Sequence, residues 1–541
     1  MKTAREITER ILRERGIVSQ EDISEFLSDR PQRTYDPFLL LNMEAGVDLL
    51  LSEAEAGHRI CIYGDYDADG VTSICVLSRI LSMLTDNFTY YIPSRFDEGY
   101  GLNMDAIAEI RRAGTDLLVT VDCGSVSYDE VEYAKALGMK VIVTDHHNVE
   151  DVKADCILIN PKQPGCGYPF KELAGCGVAF KMVQAICRRK GFPKSVINDV
   201  LDMTAIGTVG DIVSLIDENR TIVKYGLDRI NKGRRKSLKM LTEAISLKTV
   251  TSESIAFGIA PHINAAGRMA SAREAAELFL SDDSCLMEER VKRLVALNSK
   301  RKKAQEEAYS RCMEMVTGDE RFIVLRTEDI HEGIAGIVAG KIKDTENRPV
   351  IIVTPSGEGC LKGTGRSIEN VDIFALLKKH DELFLRFGGH RSACGFLMKE
   401  ENLPQLRRVL DEEIRLLEEA DPYFMERDIS WEAELAPAEV TVELARELER
   451  LQPFGKDNPR PLFMMDGVIL QQVRFMGEGE THAAFKAVDA DGRMAECILF
   501  RKAQEEKEAL TSGRSVDLVG TVSLKEWMGR ESAQFIVEEI M

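Results

Sequence analysis

Asp65, Asp67 and Asp69 crowd into Tyr63-Gly-Asp-Tyr-Asp-Ala-Asp-Gly70, and Asp122 and Asp145 follow, the last running straight into His146-His147. A lone Asp-x-Asp beside glycines commonly makes a turn or a helix N-cap and nothing more. A His-His pair directly after an aspartate, among only eight histidines in the chain, is harder to assign to packing. Oxygen donors with one or two imidazoles favour Mn2+ or Mg2+ over zinc, which recruits more nitrogen or sulfur, and manganese is the first choice. Four ionised carboxylates would balance two divalent ions, and such a pair can hold a phosphodiester anion and activate water, the logic of two-metal hydrolysis.

These residues need elements that aim them at one spot. Short β-branched runs, Arg59-Ile-Cys-Ile-Tyr63, Leu117-Leu-Val-Thr-Val121, Lys140-Val-Ile-Val-Thr144 and Cys156-Ile-Leu-Ile159, alternate with helical patterns over 71–84, 104–113 and 128–137. That alternation predicts a parallel α/β sheet with helical crossovers. The aspartates and the His pair fall at the carboxyl ends of the strands, the edge where open α/β sheets bind ligands. Asp67 and Asp69, two apart, would project to the same side, with Gly64 and Gly70 allowing a sharp turn around them.

Beyond about residue 172 helices continue to 230, and a long charged segment, 286–316, carries apolar residues at helical spacing. It predicts a helix connecting two domains. Phe322-Ile-Val-Leu325, a helix from Gly333 and Pro349-Val-Ile-Ile-Val353 indicate a second, smaller α/β domain to about residue 418. From about Arg427 short strands with glycine turns suggest a small β-barrel.

Composition sets bounds on this picture. At 541 residues, 44% hydrophobic and 30% charged, the chain has room for several soluble domains, and no apolar run approaches a membrane span. The charged, helix-prone beginning has no secretory pattern, so the cytoplasm is the expected location. Twelve cysteines without a C-x-x-C pair read as reduced, packed side chains. A net charge of −20 argues against wrapping a long duplex. Two basic clusters run against it, six Lys or Arg over 229–239 and seven over 290–303, each more commonly a solvated helix face than a nucleic-acid track.

Tyr63-Gly-Asp-Tyr-Asp-Ala-Asp-Gly-Val-Thr-Ser73, Val121-Asp-Cys-Gly124, Asp145-His-His147 and Gly210-Asp-Ile-Val213 with Glu218-Asn-Arg220 resemble, in order, the motifs of the DHH phosphoesterase superfamily, and within it the RecJ-type single-stranded-DNA exonucleases. The resemblance continues through His262-Ile-Asn-Ala-Ala-Gly-Arg-Met269. His331-Glu-Gly333, Lys362-Gly-Thr-Gly-Arg-Ser367 and Phe387-Gly-Gly-His-Arg-Ser-Ala-Cys-Gly395 resemble the family's second domain, called DHHA1. Pro453-Phe-Gly-Lys-Asp-Asn-Pro459 resembles the start of its oligonucleotide-binding (OB) barrel.

Carried over position by position, the resemblance implies metal ligands at Asp67, Asp69, Asp122, His146 and Asp211, with Asp122 bridging two ions. It implies catalytic roles for His147, facing the scissile phosphate, for Asp145, orienting an imidazole, and for Asp65, holding a water. Arg95, Tyr100, Arg268, Thr364 and Arg366 resemble a pocket for a terminal 5′-phosphate, with His390 counted among the DNA-binding positions. Guanidinium forks suit a phosphate dianion. One position departs from the wider superfamily, whose pyrophosphatase branch has a histidine where this chain has Tyr63. A phenol is a poor ligand at neutral pH, so the Asp67 ion should have fewer protein ligands than its neighbour. A P-loop and a dinucleotide fingerprint are both missing: Ile342 follows Gly340-Lys341, and Gly363-x-Gly365 lacks its third glycine.

The fold implied is α/β: a parallel-sheet DHH catalytic domain with an N-terminal helical extension (1–230), a connecting helical region (231–317), a smaller α/β DHHA1 domain (318–420) and a C-terminal OB-like β-barrel (425–541). The function implied is two-metal, 5′→3′ hydrolysis of single-stranded DNA to 5′-mononucleotides in repair and recombination. Single-stranded DNA is the implied partner, with a single-strand-binding protein and a RecQ-type helicase behind it, and no membrane. The alternatives are a DHH enzyme acting on pyrophosphate, short RNA or cyclic dinucleotides, and a catalytically silent DHH scaffold. Retention of all the acids and both histidines argues against the last.

Overall fold

In the computed structural model the described residues are all but 1–2, 97, 100, 150–152, 358, 427–428 and 528, together with the side chain of Trp527. Tyr100 and Arg427 lie outside them. The first sheet holds five strands, β1 (Ile60–Gly64), β2 (Phe88–Tyr91), β3 (Leu117–Val121), β4 (Lys140–Thr144) and β5 (Ile157–Ile159), in the order β2-β1-β3-β4-β5. Every pairing is parallel. β1 and β3 are buried throughout, as expected for strands covered by helices on both faces. In this order the chain leaves β1 toward one side and returns on the other, so a crevice opens between the carboxyl ends of β1 and β3, the topological switch point.

The helix Ala68–Leu81 starts three residues earlier than its apolar spacing indicates, because Asp67 is its N-cap: one carboxylate oxygen accepts the N–H groups of Asp69 and Gly70 at 2.9 and 3.0 Å. It is buried on nearly every side, between the sheet and the helix Gly175–Lys190. Gly64 and Gly70, expected to supply a sharp turn, are not in the left-handed region. They supply space instead. A Cβ on Gly70 would lie 2.3 Å from the carbonyl oxygen of Asp65, and one on Gly64 would meet Ile74 at 2.6 Å.

The helix Ser284–Met313, 30 residues long, joins the first domain to the second. Met287, Val291, Leu294 and Leu297 belong to the first core, while Ala308 and Cys312 belong to the core of the second. The second sheet, β6 (Ile323–Arg326), β7 (Val350–Pro355), β8 (Cys360–Arg366), β9 (Phe384–His390) and β10 (Ala393–Lys399), has the order β6-β7-β8-β10-β9 and is antiparallel except for β6–β7.

The third sheet, β11 (Ala433–Glu434), β12 (Phe463–Met476), β13 (His482–Val488), β14 (Met494–Leu499), β15 (Ser515–Trp527) and β16 (Arg530–Ile540), closes on itself because β12 pairs with both β13 and β15. This is the barrel. The helices Ala4–Glu14 and Gln20–Phe26 were expected to extend the catalytic domain. They pack on the barrel instead, with Ile7, Ile11, Leu12, Ile23 and Phe26 sharing a core with Leu444, Phe463 and Phe535. Their apolar stripes identify helices, but a stripe does not say which surface will cover it.

Glu218-Asn-Arg220 ties these parts together. Buried Arg220 donates to the carbonyls of Phe26, Arg450 and Leu451, and Glu218 accepts from Lys181 and Thr34. No helix among the described residues is long and apolar enough to cross a membrane. In the basic run 229–239, half-buried Arg229 and Arg235 pair with Asp199 and Asp202, while Lys232, paired with Asp228, and Arg234, Lys236 and Lys239 are exposed. In the second run, Arg290, Lys292, Arg293 and Lys303 pair with glutamates and Arg301 is half-buried, leaving Lys300 and Lys302 exposed.

Candidate metal centre and phosphate pocket

Three neighbouring strand ends deliver the acids. Asp65, Asp67 and Asp69 follow β1, Asp122 follows β3, and Asp145-His146-His147 follows β4. Asp122 has a left-handed backbone, φ 62°, a conformation that costs a non-glycine residue of order 1 kcal/mol and marks a site over-determined by its surroundings. Asp211 arrives from elsewhere, as the residue that ends the helix Leu201–Gly210.

Nε2 of His146 is the meeting point. Carboxylate oxygens of Asp122, Asp211 and Asp69 lie 3.1, 3.4 and 3.9 Å from it. Ligand atoms of Asp69, His146 and Asp211 fall within 4.8 Å of one another, and so do those of Asp65, Asp67 and Asp122. The two groups adjoin through Asp122. The expected metal ligands therefore converge, and Asp65 stands among the carboxylates of the second group.

Asp69 is held from behind. Its two oxygens accept the N–H groups of Gly175 and Cys176 at 2.6 and 2.9 Å, the first turn of the helix Gly175–Lys190, where a helix presents unpaired donors and its positive end. Sequence reasoning missed this support, although a small-residue run, Ala174-Gly-Cys-Gly177, opening a helix is the available signal for an anion-binding turn. A Cβ on Gly175 would sit 2.5 Å from that of Asp122.

Asp145, whose carboxylate falls within 4.8 Å of ligand atoms of Asp122, His146 and His147, also holds its neighbours in place. It accepts the backbone N–H groups of Ser125, His146 and His147, and its Oδ1 lies 2.7 Å from Nδ1 of His147. Burial alone would raise its pKa, but the His147 bond, the two imidazoles and the Ser125 amide outweigh that and hold it well below the usual range. Burial would likewise depress His147, yet Asp145, with Asp211 and Asp69 beyond, lifts it to about 9. The imidazolium of His147 is half-exposed beside the cluster, its ring centroid 4.4 Å from that of His146.

A cation fits these residues. Asp65 Oδ1, Asp122 Oδ1 and both ring nitrogens of His146 are buried and have no hydrogen-bond partner among the described residues, a large desolvation cost unless something else binds there. Burial, then the neighbouring carboxylates, raises Asp122 and Asp65 far above the carboxylate range and Asp211 to about 8. Burial holds His146 down at about 4, a neutral imidazole ready to donate a lone pair. Oxygen donors with one imidazole match Mn2+ or Mg2+. Tyr63 stays out of the cluster. Its hydroxyl donates to the carbonyl of Gly101 at 2.8 Å, its ring stacks on Tyr91, and burial drives its pKa far up.

Beside the acids lies a basic group. Arg268, on the helix Ala260–Met269, is depressed to about 10 by burial and then by Arg95, Arg301 and Arg366, while Asp67 acts in the other direction. Arg268 therefore lies within electrostatic reach of both the metal cluster and the other arginines. Its guanidinium donates to the carbonyl of Gly333 at 3.0 Å, that of Arg366 donates to the carbonyl of Gly365 at 2.7 Å, and Arg95 lies 5.3 Å over the ring of Tyr66. No carboxylate among the described residues forms an ion pair with these three.

Register explains the rest of the pocket. Across the second sheet Arg366 faces Ala393, which faces His390, and Thr364 faces Gly395, which faces Gly388. Residues directly opposite share a sheet face, so Thr364, Arg366 and His390 stand together over small residues that leave the surface open. Tyr100 is not among the described residues. Arg301 is the cation missed; it is tied to Asn298 at 3.0 Å on the long helix, and nothing in its basic run singles it out.

The chain matches family models for the DHH family N-terminal domain over residues 59–208, the DHHA1 domain over 319–416 and the RecJ OB domain over 431–539. It is 36% identical over 543 residues to the single-stranded-DNA-specific exonuclease RecJ of Bacillus subtilis, covering 98% of this chain and 67% of that one. It is 32% identical to RecJ of Escherichia coli, covering 98% and 95%. The chain belongs to the RecJ family. Among solved structures, RecJ of Thermus thermophilus in complex with Mn2+ superposes with a TM-score of 0.85 at 29% identity, over 99% of this chain and 76% of that one. The same protein in complex with Mg2+ gives 0.79. That relative thus binds either ion, the two that the donor set here favours.

Proposed function

We propose that this chain is a single-stranded-DNA exonuclease that hydrolyses its substrate stepwise from the 5′ end, releasing 5′-mononucleotides with two divalent metal ions, Mn2+ or Mg2+. The observation that carries the reading is the juxtaposition, among the described residues, of an acidic cluster with buried oxygens that no protein donor satisfies and an arginine group without carboxylate ion pairs, adjoining through Arg268 and Asp67. One needs metals and the other needs a phosphate. RecJ relatives, named for single-stranded-DNA-specific exonuclease activity, support it.

Bound divalent ions would supply positive charge for the phosphodiester and lower the pKa of water, in a site made by Asp67, Asp69, Asp122, His146 and Asp211. Asp65 completes the carboxylate group beside Asp67. Arg95, Arg268 and Arg366, with Thr364, Tyr100 and His390, hold the terminal 5′-phosphate and fix the end of the strand. Water adds to the next phosphorus and its bond to the 3′-oxygen breaks. His147, kept protonated and oriented by Asp145, stabilises the developing charge and gives the 3′-oxygen its proton. The shortened strand again begins with a 5′-phosphate, the same group the arginines hold. Each cut therefore regenerates the substrate for the next.

Digestion of 5′-labelled and 3′-labelled oligonucleotides with Mn2+, beside an Asp122→Ala control, tests the proposal. Metal-dependent release of the 5′ label as a mononucleotide is expected. Release beginning at the 3′ label, or turnover confined to short RNA or cyclic dinucleotides, would overturn it. The barrel and the long helix favour a polymer over those small substrates. A cytoplasmic location and contacts with a single-strand-binding protein and a RecQ-type helicase belong to the same proposal, and affinity capture from cells with the tagged chain tests them.

A further inference from the structure

The helix Ala260–Met269 touches both halves of the proposed active site. At the metal end, the Asn264 side-chain oxygen accepts the N–H of Ala68 at 2.7 Å. Ala68 stands between Asp67 and Asp69, and its N–H is one of the donors that a helix start leaves unpaired. One turn on, Gly267 lies so close to the aspartate loop that a Cβ there would be 2.6 Å from the carbonyl oxygen of Tyr66. At the other end, a Cβ on Gly333 would be 2.4 Å from the carbonyl oxygen of Arg268, whose guanidinium returns a hydrogen bond to Gly333. Asn264 and Arg268 are four residues apart, hence on one face and about 6 Å apart along the axis.

We propose that Asn264 is a positioning residue that sets the length of the product: by holding the aspartate loop to the helix carrying Arg268, it fixes the distance from the metal cluster to the terminal-phosphate pocket at one nucleotide. This rests on the exonuclease reading above. Asp67 caps its own helix and Asp69 is held by the amides of Gly175 and Cys176, so the Asn264 bond is the hydrogen bond that ties this loop to the helix carrying Arg268. With the Asn264 bond in place the loop, the helix and the second domain move as one piece. A scissile phosphate then meets the metals only when the strand end is seated among the arginines.

The test compares wild type, Asn264→Ala and Asn264→Asp on an oligonucleotide labelled at its 5′-phosphate, at saturating Mn2+, with products sized on a gel. Wild type and Asn264→Asp, which keeps the acceptor oxygen, are expected to release labelled mononucleotide. Asn264→Ala is expected to release a mixture of mono- and dinucleotide, with kcat lowered ~10- to 100-fold, the loss that a misplacement of about 1 Å brings. Gly267→Ala, which presses the helix off the loop, should give the same mixture. Calorimetry with Mn2+ alone should show Asn264→Ala weakening one of the metal-binding events. Pure mononucleotide from both Asn264→Ala and Gly267→Ala at wild-type kcat would overturn the inference, as would a mixture from Asn264→Asp equal to that from Asn264→Ala. A wild-type chain that releases no 5′ label would instead overturn the exonuclease reading.

Discussion

The acidic centre and the arginine pocket are two charged regions built in opposite ways. The acids come from three adjacent ends of one parallel sheet plus one helix end; Asp65, Asp69, Asp122 and Asp145 are buried, and Asp67 and Asp211 are partly exposed. The arginines come from a loop, a helix and a strand of the second sheet, and they adjoin only when two domains are in place. Among the described residues each region is left short of partners by the protein: buried carboxylate oxygens without hydrogen-bond donors, guanidiniums held on backbone carbonyls without carboxylates. A region neutralised from within would be a structural ion-pair network. Regions left charged are organised for something that arrives, and here the two signs call for metal and phosphate.

The largest effect is expected from Asp122→Ala. Asp122 belongs beside both ligand groups, so release of the 5′ label should fall at least ~10³-fold and both Mn2+ events should disappear from calorimetry. If either event survived at full strength, Asp122 would not be shared. Next in size is the basic side. Arg366→Ala or Arg268→Ala should lower kcat/KM on 5′-phosphorylated strands ~10²-fold, the worth of one or two charge-assisted hydrogen bonds, while leaving 5′-hydroxyl strands nearly unaffected. An equal loss on both ends would remove the terminal phosphate as the ligand.

A smaller effect separates the two metal groups. One contains an imidazole and the other only carboxylates, so titration of the protein with Mn2+ should resolve one tight and one weak event, at least ~10-fold apart. Asp67→Asn should abolish the weak one. Two equally tight events would show that the exclusion of Tyr63 from the cluster has no energetic consequence. The smallest expected change lies on the long helix. Replacing Lys300, Lys302 and Lys303 with alanine should flatten the salt dependence of single-strand binding by about 0.7 for each phosphate these lysines neutralise. An unchanged slope would make these lysines a solvated face.

How much of this was legible follows from how local each feature is. Asp67, Asp122 and His146 could be placed at strand ends because β-branched runs and the polar residues that stop them are neighbours in the chain. Asp211 could not, since it ends a helix and no spacing connects it to β1; only family resemblance marked it. The same holds for Arg95, Arg268 and Arg366, whose meeting depends on register in the second sheet and on how two domains pack. Apolar spacing places the start of the helix Ala68–Leu81 three residues late because Asp-Ala-Asp-Gly reads equally well as a turn. β2 and β16 are not among the runs read as strands, and the amphipathic helices Ala4–Glu14 and Gln20–Phe26 could not announce that the barrel would cover them. Asn264, Gly175 and Cys176 act through backbone amides remote in sequence, a contact no side-chain pattern records.

The helix Ser284–Met313 is rooted in one core at its beginning and in another at its end, over roughly 45 Å. A strand passing between the two domains would meet a spacing set by this helix, a gauge and not a jaw. A nucleotide swollen by a bulky adduct should stall at such a spacing whatever its chemistry, at a constant number of residues from the cut.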